Sequence, residues 1–293
     1  MKRAATLKWL AYLAFVLIFA GVLICVKFPY ESIESRLAEL IAEHWGLKLD
    51  VADLRPTLPP KLRFGRFSLR TLGYDGLPVF CATEGYLRPR IFPLLGGKLT
   101  ANIHAEAYGG CLHGEIIMKP LHALRTYSLQ ISWEKMRLER HPGLLQLVDR
   151  NISGELSGVL ELGGPLKGLI NSSGSGRLRL TDGSCPIEHP YLRVNTLDGL
   201  EVSAAVALDK GELEIDDCRF KAKGIKGRLD GKVQLQSRLF ESVLDVAGQF
   251  QIDPNMLKPG TGFNSGLMSF LDNRSLLPFH LRGTVAAPTL SLF

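Results

Sequence analysis

Histidine and glutamate occur at a spacing of two in two neighbouring stretches of the chain. His104 is followed by Glu106, and His113 is followed by Glu115. Residues two apart in a β-strand point to the same face, so two such pairs on adjacent strands have the chemistry of a zinc site. The alternative, which we favour, is that these side chains belong to a solvated polar face.

Two further clusters have ligand-like side chains. Glu188 and His189 lie near Cys185, after Asp182-Gly183, and the pattern favours a turn. Asp216-Asp217 has cation-binding chemistry, although a charged strand end is the better interpretation. We therefore predict no metal site and no bound cofactor.

Enzyme motifs are absent from the sequence. There is no Gly-x-Ser-x-Gly elbow, no P-loop, no His-Glu-x-x-His helix and no Gly-x-Gly-x-x-Gly after a strand. The expectation is a protein that is not an enzyme.

Four of the five cysteines lie in the body of the chain, and Cys25 lies in an N-terminal apolar run. In an oxidising compartment an even number of cysteines can pair, and sequence proximity suggests Cys81–Cys111 and Cys185–Cys218. The alternative is four small apolar side chains without bridges.

The composition excludes several classes of protein. Of 293 residues, 46% are hydrophobic and 22% are charged, which excludes a disordered chain. Three of the six net positive charges come from Lys2, Arg3 and Lys8, and only 8% of the residues are aromatic. A nucleic-acid partner is therefore not indicated.

An uncharged run from Trp9 to Val26 predicts a transmembrane helix, because at about 1.5 Å per residue it spans roughly 27 Å. The positive-inside rule makes residues 1–8 a cytoplasmic tail and places the rest across the membrane. A cleaved signal peptide is less favoured, since no small-residue cleavage site follows. The aromatic and terminal anchor residues are Trp9, Tyr12, Phe15, Phe19 and Val26.

Residues 27–46 predict an amphipathic helix. Its apolar side chains recur at helical spacing: Ile33, Leu37, Leu40, Ile41 and Trp45. Packing against a sheet is favoured over a position on the membrane surface.

From residue 47 to residue 293 the hydrophobic period is two, which predicts a β-rich domain. Lys98 to Tyr108 alternates most clearly. Other predicted strands are 129–133, 177–181, 200–208, 212–215, 228–236, 243–252 and 279–285. The two predicted helices of this domain are His141 to Arg150 and Ser265 to Asn273.

Most of the predicted strands have one apolar and one polar face, and there are too few helices to cover the apolar faces. These faces must therefore cover one another. The predicted fold is mainly β, a large antiparallel sheet that closes as a barrel or sandwich or curls into a trough or open barrel. Alternation alone favours closure with a dry core, whereas an open trough would offer an apolar groove to acyl chains. The candidate groove residues are Leu99, Ile103, Ala105, Ile131 and Trp133.

Two Gly-rich and Pro-rich segments carry a family resemblance. Phe92-Pro93-Leu94-Leu95-Gly96-Gly97-Lys98-Leu99 precedes Tyr108-Gly109-Gly110-Cys111-Leu112-His113-Gly114. With the anchor before them, these segments resemble the type II secretion system protein N family, GspN. The Gly-rich strands and the C-terminal Gly283 to Pro288 resemble AsmA-type proteins.

The resemblance implies a single-pass protein of the bacterial inner membrane with its body in the periplasm. It implies an accessory role in type II protein secretion, with other secretion subunits as partners. The AsmA-like part implies the alternative function, a lipid-binding or lipid-transfer module with membrane lipid as its partner and a β-trough as its site.

Overall fold

The structure is a computed structural model that is mainly β. It describes residues 46–57, 61–71, 78–90, 96–119, 126–144, 151–166, 169–187, 193–236, 241–256 and 276–292, and also residues 12, 15, 19, 35, 38, 39, 41–43, 76, 92 and 93.

Fourteen of the described strands form one antiparallel sheet, the main sheet. In spatial order they are β2 (Arg55–Thr57), β3 (Lys61–Phe64), β6 (Glu84–Arg90), β7 (Leu99–Ala107), β8 (Gly110–Lys119), β9 (Thr126–Arg137), β10 (Ser153–Pro165), β11 (Ser173–Pro186), β12 (Thr196–Asp209), β13 (Glu212–Ala222), β14 (Ile225–Gln234), β15 (Val243–Ile252), β16 (Leu277–Thr284) and β17 (Pro288–Leu292). From β6 onward each strand pairs with the next along the chain. The sheet begins at β2 and ends at β17 and does not close into a barrel.

The strand predictions made from alternation are confirmed. The segment from Lys98 to Tyr108 forms β7, residues 243–252 form β15, and the other predicted segments fall within or overlap strands of the main sheet. Because side chains alternate and cross-strand partners share a face, the register defines an apolar face and a polar face for the whole sheet. The apolar face includes Ile103 of β7, its cross-strand partner Gly114 on β8, and Ile131, which pairs with Gly114 from β9.

A second sheet of three strands covers one end of the apolar face. This cap sheet consists of β1 (Leu47–Ala52), β4 (Arg66–Thr71) and β5 (Pro78–Ala82) in the order β1-β4-β5. The chain passes from β3 into β4 at Gly65 and from β5 into β6 at Thr83. The backbone N–H of Thr83 bonds to the carbonyl of Glu106, 2.9 Å away, which fixes this crossing to β7.

Three β-bulges interrupt alternate strands of the main sheet. Lys135 in β9, Asp182 in β11 and Asp217 in β13 have φ values of 53°, 51° and 47°. The pairing register shifts next to each of them. A bulge bends its strand and increases the local twist, so bulges in every second strand curve the sheet. Asp182 and Asp217 were expected in a turn and at a strand end, and the structure corrects both expectations.

The N-terminal predictions are only partly covered by the structure. Tyr12, Phe15 and Phe19 are helical and exposed, and the rings of Phe15 and Phe19 stack at 6.1 Å, while Trp9 and Val26 lie outside the described residues. Over the positions that are described, no helix has the length and apolarity needed to span a membrane.

Of residues 27–46, the structure describes positions 35, 38, 39 and 41–43 as helical. Residues 142–144 are helical where the helix from His141 to Arg150 was predicted, and the remainder of that segment lies outside the described residues. So does the predicted helix from Ser265 to Asn273.

Candidate functional site

The apolar face of the main sheet is the largest feature with a possible binding role. From β7 to β16, every residue that the pairing register places on this face is apolar or glycine, apart from Tyr127 and the cysteines Cys185 and Cys218. The Tyr127 hydroxyl pairs with the Ser172 hydroxyl at 2.6 Å, so this polar group is satisfied. The face therefore offers hydrocarbon contacts over ten consecutive strands.

The polar face carries the charges of the same strands. Lys232 Nζ lies 2.6 Å from Glu212 Oε1, and this contact raises the pKa of the lysine. Arg90 Nη1 lies 3.2 Å from Glu115 Oε1. These pairs are solvent-exposed and contribute little to stability, so we assign this face to solvent.

The apolar face is covered unequally. The cap sheet packs on the first part of it, where Ala82 and Phe80 join Phe64, Ala105 and Met136 in one hydrophobic cluster. Near the other end, the turn at Met256 packs with Ile252 and Leu277. Between these two clusters, Leu178, Val206 and Leu229 are only partly buried. Within the part of the chain that the structure describes, the middle of the face keeps part of its apolar surface exposed.

A cavity of about 570 Å³ lies between the cap sheet and the apolar face. Most of its lining is apolar, and its residues come from β5, β8, β9, β10 and three connections between strands: Pro78, Val79, Phe80, Tyr108, Leu112, Ile131, Trp133, Met136, Arg137, Leu138, His141, Leu144, Leu156 and Val285. We call this space the cap cavity. Val285 belongs to the turn between β16 and β17, at the other end of the sheet.

Two side chains of the main-sheet layer bond to the backbone of β5. The Tyr108 hydroxyl accepts a hydrogen bond from the Cys81 N–H at 2.6 Å, and His141 Nε2 donates to the Val79 carbonyl at 3.1 Å. His141 Nδ1 accepts from the N–H groups of Gly143 and Leu144, which fixes the neutral tautomer that protonates Nε2.

The rings of Tyr108 and His141 lie 4.9 Å apart. Burial raises the pKa of Tyr108 to about 12. The Phe80 ring meets Tyr108 edge-on at 5.9 Å. Aromatic packing and hydrogen bonds thus hold the cap sheet in place.

Trp133 lies flat on β10 at Gly158. A Cβ at Gly158 would stand 2.6 Å from the indole ring and 2.6 Å from the Arg177 carbonyl. Only glycine fits there. The indole Nε1 is buried without a hydrogen-bond partner, which costs about 1–3 kcal/mol.

The five candidate groove residues all lie on the apolar face by register. Leu99 pairs with Met118, Ile103 with Gly114 and Ala105 with Leu112. Ile131 and Trp133 follow on β9 and line the cap cavity. The cap residues Val79, Phe80, Tyr108 and His141 and the distant Val285 were not anticipated from the sequence.

The cysteine pairings suggested by the sequence are not formed, because Cys81, Cys111, Cys185 and Cys218 are all free. Cys81 belongs to the cap sheet, on the apolar side of the main sheet, whereas Cys111 pairs with Glu106 on the polar face. The main sheet stands between them.

The second pairing fails on distance. Cys185 pairs with Leu197 of β12, while Cys218 lies opposite the same strand near Ala204. At about 3.3 Å per residue the two levels differ by roughly 20 Å, far beyond the reach of a disulfide.

The histidines of the first motif lie opposite each other on the polar face. His104 Nδ1 and His113 Nδ1 are 3.1 Å apart, which is within hydrogen-bonding distance. Glu115 contacts Arg90 rather than either histidine. Across the described ranges, no three His, Cys, Asp or Glu side chains are grouped to hold a metal ion.

Comparison with known proteins adds no family. No protein-family model, curated protein or solved structure matches this chain.

Proposed function

We propose that this protein binds membrane lipid, with the acyl chains lying along the apolar face of the main sheet. The observation that carries the proposal is the position of Val285. In a flat sheet, β16 and β8 are eight strand spacings apart, or about 38 Å. Val285 nevertheless lines the same cavity as Leu112 and Trp133. This supports a sheet curled into a trough with its apolar face inward.

The energetics favour an occupant of hydrocarbon. Each large apolar side chain left in water forgoes about 1.5–3 kcal/mol of burial free energy. Leu178, Val206 and Leu229 are only partly buried, and no charged side chain shares their face. An acyl chain would remove this surface from water while its polar headgroup stayed outside the trough.

The location at the bacterial inner membrane, with the body in the periplasm, rests on the anchor predicted from Trp9 to Val26. The accessory role in type II secretion rests on the resemblance of the Gly-rich and Pro-rich segments. Co-purification of the full chain with secretion subunits tests that role, and failure to recover any of them would count against it.

Lipid extraction from the purified full chain tests lipid binding. We expect organic extraction and mass spectrometry to recover phospholipid in a fixed ratio to protein. Leu229→Glu places a charge on the apolar face of β14, and Arg228→Glu places the same charge on the polar face of that strand. Loss of lipid from the first variant alone supports the proposal. Equal lipid content in both folded variants would contradict it.

A further inference from the structure

We infer that the cap cavity is an end pocket that receives the methyl end of an acyl chain and limits the length of chain that the protein accepts. This inference rests on the proposed lipid binding. It assigns a specific part of the apolar face to a specific part of the lipid.

The shape and lining of the cavity match a hydrocarbon end. Its volume of about 570 Å³ lies within the roughly 300–1,000 Å³ of ligand pockets. Val79 and Phe80 cover it from the cap sheet, and Leu112, Ile131 and Leu156 line it from the main sheet. Ile131 and Leu156 belong to the same apolar face as the partly buried Leu178, so an acyl chain lying along that face leads into the cavity.

The polar groups of Tyr108 and His141, which line the cavity, are already engaged. The Tyr108 hydroxyl is bonded to the Cys81 N–H, and both nitrogens of His141 are bonded to backbone groups. The Trp133 indole N–H has no partner, but it is shielded from the accessible surface. Arg137 is exposed to solvent. The cavity offers no accessible hydrogen bond to a headgroup, which would lose its hydration on entering.

The cap sheet is positioned to limit how far an acyl chain can enter the cavity. It continues the main-sheet strands through Gly65 and Thr83, and the bonds from Tyr108 and His141 tie β5 down. Packing of Phe80 against Tyr108 adds a contact across the same junction, and Phe67 packs against Phe80 within the cap sheet. An acyl chain that reaches Phe80 meets a packed wall.

A chain-length series tests this inference on the full-length protein in amphipol. The probes are saturated 1-acyl lysophosphatidylcholines from decanoyl to stearoyl, with the dissociation constant measured for each. We expect affinity to rise by about fourfold for each added methylene while the chain fills the apolar site, and then to level off. Ile131→Trp fills part of the cavity, so the affinity should level off at a shorter acyl chain than in the wild-type protein.

Gln130→Trp is the matched control, because Gln130 precedes Ile131 on β9 and its side chain lies on the polar face. In this control, the affinity should level off at the same acyl-chain length as in the wild-type protein. Leu112→Phe is the second variant, to be used if Ile131→Trp does not fold. An unchanged plateau in folded cavity variants that still bind the probes would overturn the end pocket alone. Absence of binding by the wild-type protein would overturn the proposed function as well.

Discussion

Val285 and Leu112 line one cavity although they belong to opposite parts of the main sheet. Leu112 lies on β8, and Val285 follows β16, eight strands further along the hydrogen-bonded order. The bulges at Lys135, Asp182 and Asp217 supply local bends in β9, β11 and β13. The proximity of the two residues and the position of the bulges both support the proposed curl of the sheet toward its apolar face.

Spin labels at Arg137 and Val285 test this curvature directly. A flat sheet would separate β9 from β16 by about 34 Å. We expect pulsed electron resonance to give a distance well below that value, because both residues line the cap cavity. The pair Arg137 and Glu155, which are direct cross-strand partners, calibrates the labels. A distance close to the flat-sheet value would contradict the curl.

The pH dependence of stability tests the environment of Tyr108. The unfolded chain releases the phenolic proton near pH 10, whereas the folded protein keeps it to about pH 12. Between these values the unfolded state binds fewer protons, so the free energy of unfolding falls as pH rises. We expect urea titrations to show a smaller fall in Tyr108→Phe than in the wild-type protein. Parallel pH profiles would refute the burial of this phenol.

The same variant tests the attachment of the cap sheet at neutral pH. Removing the Tyr108 hydroxyl leaves the Cys81 N–H without its acceptor. We expect a loss of about 1–2 kcal/mol in the free energy of unfolding. Hydrogen exchange should accelerate in β5 more than in β14, which contributes no residue to the lining of the cap cavity. Uniform acceleration across both strands would argue against a local role.

Gly158 tests the packing of Trp133. A side-chain methyl at Gly158 would collide with the indole and with the Arg177 carbonyl, so Gly158→Ala should cost about 1–3 kcal/mol. Gly163→Ala is the control on the same strand, since the nearest atom to its Cβ is 3.4 Å away. Thermal unfolding compares the two variants. Similar melting temperatures would show that the indole does not lie on Gly158.

Thiol reactivity tests the absence of bridges. Cys111 is exposed, whereas Cys218 is 7% exposed, and burial raises the pKa of its thiol. We expect Cys111 to react first with a maleimide in the native protein and Cys218 only on unfolding. Alkylation of unfolded, unreduced protein should modify all four of Cys81, Cys111, Cys185 and Cys218. If two of these thiols were not alkylated in the unfolded, unreduced protein, a disulfide between them would be indicated.

Much of the sheet was predictable because alternation is a local property of the chain. Lys98 to Tyr108 and residues 243–252 show which side chains share a face, and the structure places them in β7 and β15. The bulges were missed because Asp182-Gly183 has the composition of a turn and Asp216-Asp217 that of a charged strand end. A positive φ inside a strand leaves no distinct sequence signal.

The cap cavity was not predictable from the sequence. Residues 78–82 were not among the predicted strands, and nothing local shows that the chain leaves the cap sheet at Thr83. Tyr108 lies in the turn between β7 and β8, and its bond to Cys81 joins residues that are distant in the chain. The part played by Val285 depends on the curvature accumulated over eight strands, which no single segment encodes.

Site-specific photocrosslinking in intact cells tests lipid binding most directly. A photoreactive amino acid replaces Leu178 in one variant and Arg179 in another, so that neighbouring positions of β11 probe the apolar and the polar face in turn. We predict that position 178 crosslinks to phospholipid, detected by mass spectrometry of the adduct, and that position 179 does not. Equal lipid labelling at both positions, or none at position 178 in a folded protein, would contradict an acyl-binding apolar face.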